Sequence, residues 1–150
     1  MATQGKITNE IADKLIAEGW KVVYKCIPNT PHIGVVPIPT SSGSSSQRYP
    51  DIVAYKDDEV RFVEVEIKLN AQVAKQLIER FDDYTGYLSK ENNWALWKQQ
   101  VFQYTGHMLP NGFCPVCDLV ICSPVSTQET LLELLRNHKI RCQYYKEYII

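Results

Sequence analysis

The stretch that most constrains this chain is Arg48 to Asn70, RYPDIVAYKDDEVRFVEVEIKLN. Asp51 to Tyr55 is rich in β-formers, Val60 to Leu69 alternates strictly, and the polar Lys56-Asp57-Asp58-Glu59 separates the two arms. The pattern predicts a β-hairpin. Period-two alternation puts Phe62, Glu64, Glu66 and Lys68 on one face of its second arm and Arg61, Val63, Val65, Ile67 and Leu69 on the other. That is the pattern of a half-buried strand with one polar face. With Asp57-Asp58 as the loop, Tyr55 stands opposite Val60, Val53 opposite Phe62 and Asp51 opposite Glu64. A slip of one residue would turn Asp51 to the other face.

Asp51 opposite Glu64 is a costly pairing. Directly opposed side chains have Cβ atoms about 4.5–5.5 Å apart. Two carboxylates at that distance need a proton or a cation between them. Oxygen ligands of this kind suit Mg²⁺, which keeps several waters and takes one or two protein carboxylates.

Pro50-Asp51, a turn, an apolar run and then Glu-x-Glu-x-Lys at 64 to 68 resemble the PD-(D/E)XK nuclease superfamily, which includes restriction endonucleases, Holliday-junction resolvases and RecB-like exonucleases. Two registers fit. Glu66-Ile67-Lys68 matches the motif letters, whereas Glu64-Val65-Glu66 matches the hairpin geometry and puts Glu66 where the family usually has lysine. Some restriction enzymes are similar to this Glu-x-Glu form. The resemblance implies a metal-dependent DNA endonuclease that uses Mg²⁺ or Mn²⁺. Asp51 and Glu64 would hold the metal, and Glu66 or Lys68 would orient water or stabilise the charge on the phosphate. It further implies that an opening helix lends an acid to the metal site, for which Glu10 is the candidate.

Length and composition are compatible with this reading. A chain of 150 residues, 45% hydrophobic and 22% charged, suits one domain with a real core. A net charge of −1 argues against coating nucleic acid by bulk charge. No run near 18 apolar residues and no apolar signal core at the start point to a cytoplasmic or intracellular protein away from the membrane. Five cysteines, an odd number, fit a reducing compartment.

In chain order, Ile7 to Glu18 reads as an amphipathic helix with Thr8 as cap, Ile11, Leu15 and Ile16 inside, and Gly19 as the stop. Trp20 to Ile27 reads as a strand and Gly34 to Ile38 as a short extended piece. A flexible Ser-rich loop follows over 40–47. After the hairpin comes a helical insertion at about 71–108, with helices from Ala71 to Leu88 (stripe Val73, Leu77, Phe81 and Tyr84) and from Asn93 to Met108. Trp94, Trp97, Val101 and Tyr104 on the second helix read as core in preference to base-stacking aromatics. Lys75, Arg80 and Arg48 are candidate DNA-phosphate contacts. Asp118 to Ser123 reads as a buried strand and Thr127 to His138 as a helix with Leu131, Leu132, Leu134 and Leu135 inside. Ile140 to Tyr148 reads as a final strand. The order predicts an α/β sandwich with a mixed sheet. It resembles the restriction-endonuclease-like three-layer sandwich, a central mixed sheet flanked by helices, as a single domain over 1–150.

Other constellations are weaker. Cys114-Pro-Val-Cys117 lacks the helix start that redox use wants. Cys26, Cys114, Cys117 and Cys122 are similar in order to the iron–sulfur ligands of some RecB-like exonucleases. Their plain reading is small buried residues plus a loop pair. His32, His107 and His138 are scattered, and there is no glycine-rich phosphate loop. The functional expectations are a structure-selective DNA endonuclease acting as a homodimer, a DNA-binding or protein-interaction domain on the same fold with a decayed site, and an ordinary solvated charge row.

Overall fold

The structure is a computed structural model that describes residues 4–27, 34–39, 47–122 and 129–145. In chain order it comprises α1 (Gln4–Ala17), β1 (Lys21–Lys25), β2 (Ile38–Pro39), β3 (Gln47–Arg48), β4 (Ile52–Lys56), β5 (Glu59–Glu66), α2 (Ala71–Leu88), α3 (Glu91–Thr105), β6 (Pro115–Ile121), α4 (Glu129–Asn137) and β7 (Ile140–Tyr144). Five strands form one sheet in the order β1-β4-β5-β6-β7, and β2 and β3 pair separately. The first three strands of the large sheet run antiparallel, whereas β5, β6 and β7 run parallel. The chain is thus α/β, with a mixed sheet flanked by helices.

The β4–β5 hairpin has the register its sequence predicts: Val53 pairs with Phe62, Tyr55 with Val60 and Lys56 with Glu59. Asp57 takes φ 53° in the tight turn, a left-handed conformation that Asp tolerates better than most residues. The expectation of a half-buried strand is corrected, because every residue from Val60 to Val65 is buried. Helices cover both sides of β5, so its alternation separates two helix layers and not core from water. Phe62 joins the larger core with Leu77, Phe81, Tyr84, Trp97 and Leu135. Val63 and Val65 join the smaller one with Ile7, Ile11 and Leu15 of α1.

The helix boundaries follow local chemistry. Asn70 caps α2 through a 2.9 Å bond from the Val73 N–H to its Oδ1. Gly19 (φ 93°) and Gly106 (φ 79°) end α1 and α3 in left-handed geometry. Gly106 also ends α3 before Met108. Three expected burials reverse: Ile16 is 57% exposed, Tyr104 70% and Leu134 41%. Thr8 is no cap, because α1 begins at Gln4. It is buried, and its hydroxyl donates to the Gln4 carbonyl at 2.8 Å. Trp94 and Trp97 are core, and their indole N–H groups donate to the carbonyls of Asn111 (2.9 Å) and Pro37 (3.2 Å).

Of the Ser-rich stretch, residues 40–46 lie outside the described residues, and Gln47 is in β3. Thr127, Tyr148 and His32 also lie outside them. Among the described residues no helix is long and apolar enough to cross a membrane.

Candidate functional site

Where β4 begins and β5 ends, the α2 side of the sheet opens into a cleft of about 510 Å³, lined by Gln4, Cys26, Arg48, Tyr49, Asp51, Glu64, Glu66, Arg80 and Tyr84. Asp51 lies just before β4. Its Oδ2 accepts the Val65 N–H at 2.7 Å, so a side chain serves as partner to β5 where β4 has no further backbone to offer. Gln4, in the first turn of α1, donates to the Val65 carbonyl at 2.9 Å. Both backbone polar groups of Val65 are thus held by side chains.

The Asp51 and Glu64 carboxyls are within hydrogen-bonding reach of each other. Glu64 is 1% exposed. Burial first, and the Asp51 charge second, push its pKa well above the ordinary carboxylate value, while donation from Tyr84 and the Arg80 charge pull it down. Burial also raises Asp51, but the Val65 N–H, the bond with Glu64 and Arg80 oppose that shift. The pair therefore holds a proton more tightly than an ordinary carboxyl does. Glu66 is raised too, by burial and then by Asp51, with Arg80 acting against both. The Cys26 thiol at the cleft wall is raised by burial and by the charges of Asp51 and Glu64, which keeps it a poor nucleophile.

Helix α2 supplies the other wall, and its spacing matches that of β5. Four helical residues rise about 6 Å, and two strand residues span about 6.6 Å. Tyr84 thus reaches Glu64 while Arg80, one turn earlier, reaches Glu66. The Tyr84 hydroxyl donates to Glu64 Oε1 at 2.5 Å. Arg80 Nη1 lies 3.6 Å from Glu66 Oε1 and 4.0 Å from Glu64 Oε1. Arg48 is held by Asp83 of α2, Nε to Oδ2 at 2.6 Å.

The structure therefore brings together Asp51, Glu64, Glu66, Arg48 and Arg80 of the residues singled out from sequence. It does not bring in Glu10, Lys68 or Lys75, which are not among the residues lining the cleft. Glu10 lies six residues beyond Gln4, on another side of α1. Lys68 lies beyond the end of β5, exposed in the connection to α2, so the expected strand to Leu69 stops at Glu66. Lys75 is exposed on α2. Tyr84 appears in the sequence only as core, and Gln4 and Tyr49 give no functional signal there.

Among the described residues no group of three or more His, Cys, Asp or Glu stands ready to hold a metal. The expected convergence of three acids is thus a pair, Asp51 and Glu64, with Glu66 turned to Arg80. A pair still fits Mg²⁺ or Mn²⁺, whose other positions go to water and substrate oxygens. No cysteine metal cluster forms among the described residues either: Cys117 is buried and Cys114 exposed.

No family model matches the chain, and no curated protein matches it. Its fold is similar to that of a crystal structure described as a protein of unknown function, AF1548. The TM-score is 0.55 and the identity 14%, and the match covers 93% of this chain and 58% of that one. The chain spans under two thirds of that protein's length, and likeness at this identity concerns the fold alone.

Proposed function

We propose that this chain is a metal-dependent DNA endonuclease on a restriction-endonuclease-like sandwich. The observation that carries the reading is the Asp51–Glu64 pair: two carboxyls within hydrogen-bonding reach at the floor of an open cleft, both shifted upward by burial. A cation between them would remove that cost. The Pro50-Asp51 and Glu64-Val65-Glu66 pattern and the order of elements support the same conclusion.

The residues have separate tasks. Asp51 and Glu64 would hold Mg²⁺ or Mn²⁺, which supplies Lewis acidity toward a phosphate oxygen and makes nearby water more acidic. The Val65 N–H fixes Asp51, and Tyr84 fixes Glu64. Glu66 faces the cleft, where it can orient the attacking water. In the reaction the water oxygen forms a bond to phosphorus and the bond from phosphorus to the leaving sugar oxygen breaks. The proton lost by water goes to solvent, and solvent protonates the leaving oxygen.

DNA is the substrate on this reading. The cleft rim carries Arg48 and the partly exposed Tyr49, and aromatic side chains stack on unpaired bases. This favours branched or frayed DNA. The exposed Phe102 on α3 is a candidate contact for the expected homodimer.

The test is nicking of supercoiled plasmid and cleavage of a four-way-junction oligonucleotide with Mg²⁺ or Mn²⁺. Asp51→Ala and Glu64→Ala should each reduce cleavage by about 10³-fold or more, the scale on which loss of a central catalytic group acts. Wild-type activity in either variant would refute the assignment. A wild-type protein that binds the junction without cutting it would favour a decayed, DNA-binding version of the fold.

A further inference from the structure

We propose that Arg80 is the cationic catalytic residue of the cleft, occupying from helix α2 the place where the nuclease motif usually has a strand lysine. The inference rests on the nuclease reading and names the group that would contact the scissile phosphate.

Three observations support it. First, the strand position that would carry the lysine is Glu66, and the nearest lysine in sequence, Lys68, is exposed beyond the end of β5. The strand therefore offers the cleft no cation. Second, the Arg80 guanidinium is in the cleft, 3.6 Å from Glu66 Oε1 and 4.0 Å from Glu64 Oε1. These distances are those of a loose ion pair and exceed those of made hydrogen bonds. Among the described residues Arg80 makes no hydrogen bond, so its N–H donors are available to a ligand. Arg48, the other arginine of the cleft, is committed to Asp83 at 2.6 Å. Third, the Arg80 side chain is 37% exposed, whereas Glu64 beneath it is 1% exposed. The guanidinium lies on the solvent side of the carboxyls, on the side from which a backbone phosphate would approach.

The chemistry suits the position. A guanidinium stays charged at any working pH, and its planar fork matches two phosphate oxygens at once. Without substrate Arg80 acts as a counter-ion that moderates the repulsion among Asp51, Glu64 and Glu66. When those carboxylates gain another positive partner, the guanidinium is free to turn to the phosphate. There it stabilises the charge that develops on the phosphoryl oxygens. A purely structural Arg80 would hold the carboxylates in place, and its loss would weaken cation binding. A catalytic Arg80 competes with the cation, and its loss would leave cation binding equal or stronger.

The experiment combines calorimetric titration of Mn²⁺ alone with steady-state cleavage of the four-way-junction oligonucleotide, for wild type, Arg80→Gln, Arg80→Lys and Lys68→Gln. Arg80→Gln should lower kcat about 10²–10³-fold, the usual effect of removing one donor to developing charge, with KM changed less than about threefold. Its Mn²⁺ affinity should equal or exceed that of wild type. Arg80→Lys should recover at least about tenfold of the lost kcat, because a positive charge returns. The proposal is overturned if Arg80→Gln keeps wild-type kcat, if it loses Mn²⁺ binding, or if Lys68→Gln loses more activity than Arg80→Gln. A wild-type protein that cleaves nothing would overturn the nuclease reading, and this inference with it. Wild-type cleavage with an unaffected Arg80→Gln would overturn this inference alone.

Discussion

Strand β5 carries buried charge on both of its faces, and the two faces handle it in opposite ways. On the α1 face, Arg61 of β5 pairs with Asp118 of β6, and Arg141 of β7 joins them through Nε at 2.7 Å and Nη2 at 3.1 Å. Asp118 is 1% exposed, and the Arg61 guanidinium lies 5.1 Å from the Trp20 ring centre. Asp118 thus finds two cationic partners within the sheet. On the α2 face, Asp51, Glu64 and Glu66 meet one loosely placed guanidinium, that of Arg80. Here the deficit is positive charge. Burial is similar on the two faces, so burial does not distinguish a functional site. The excess of carboxylates over cations does.

Removal of the central acid should break this comparison most visibly. Asp118→Ala leaves Arg61 buried without its carboxylate, a loss of about 3–5 kcal/mol for a broken buried ion pair. For a domain of this size that is a fall in Tm of about 10 °C or more. A thermal melt by circular dichroism measures it. A fall under about 2 °C would mean that solvent reaches Arg61 and that the cluster is not closed.

The same kind of change in the cleft should have the opposite sign and a smaller size. Glu64→Gln keeps the shape and can still accept from Tyr84, but removes a buried acid that sits against Asp51. Without divalent metal its Tm should rise by about 2–6 °C, or about 1–2 kcal/mol. The pH dependence follows from the directions of the shifts. The folded-state pKa values of Asp51, Glu64 and Glu66 lie above the ordinary ones of 3.8 and 4.5, so the folded protein binds protons more tightly than the unfolded chain. Their favourable contribution is present below about pH 4 and is lost as pH rises through the raised values. Metal-free wild type should therefore lose Tm as pH rises above the ordinary values of 3.8 and 4.5, where Glu64→Gln loses less. Melts across that range compare the two. Parallel curves would mean that Glu64 takes no part in holding that proton.

The hairpin was legible in the sequence because it is local. Strict alternation and the Asp57-Asp58 turn specify the register, and the register brings Asp51 to Glu64. Arg61 stands among apolar residues in that same alternation. Its reason is visible only once β6 supplies Asp118 and β7 supplies Arg141, because those partners are distant in sequence. The cleft's second wall was hidden for a similar reason. Tyr84 has the spacing of a core residue, and it is one, with a hydroxyl that happens to reach Glu64. The reach depends on how α2 crosses β5, which periodicity does not encode. Lys68 was misplaced because alternation continues through Ile67 after the strand has ended, so the pattern outlasts the hydrogen bonding. Glu10 is six residues beyond Gln4 on α1 and is not among the residues lining the cleft. Which face of α1 meets the site depends on how the helix packs on the sheet, which periodicity alone does not encode.

The central claim, that Asp51 and Glu64 together take up one divalent cation, is tested most directly by isothermal titration of Mn²⁺ into wild type, Asp51→Asn and Glu64→Gln, with folding of each checked by its melt. The account predicts a single site per chain in wild type that both isosteric variants lose. Wild type without binding at millimolar Mn²⁺, or full binding by both variants, would contradict it.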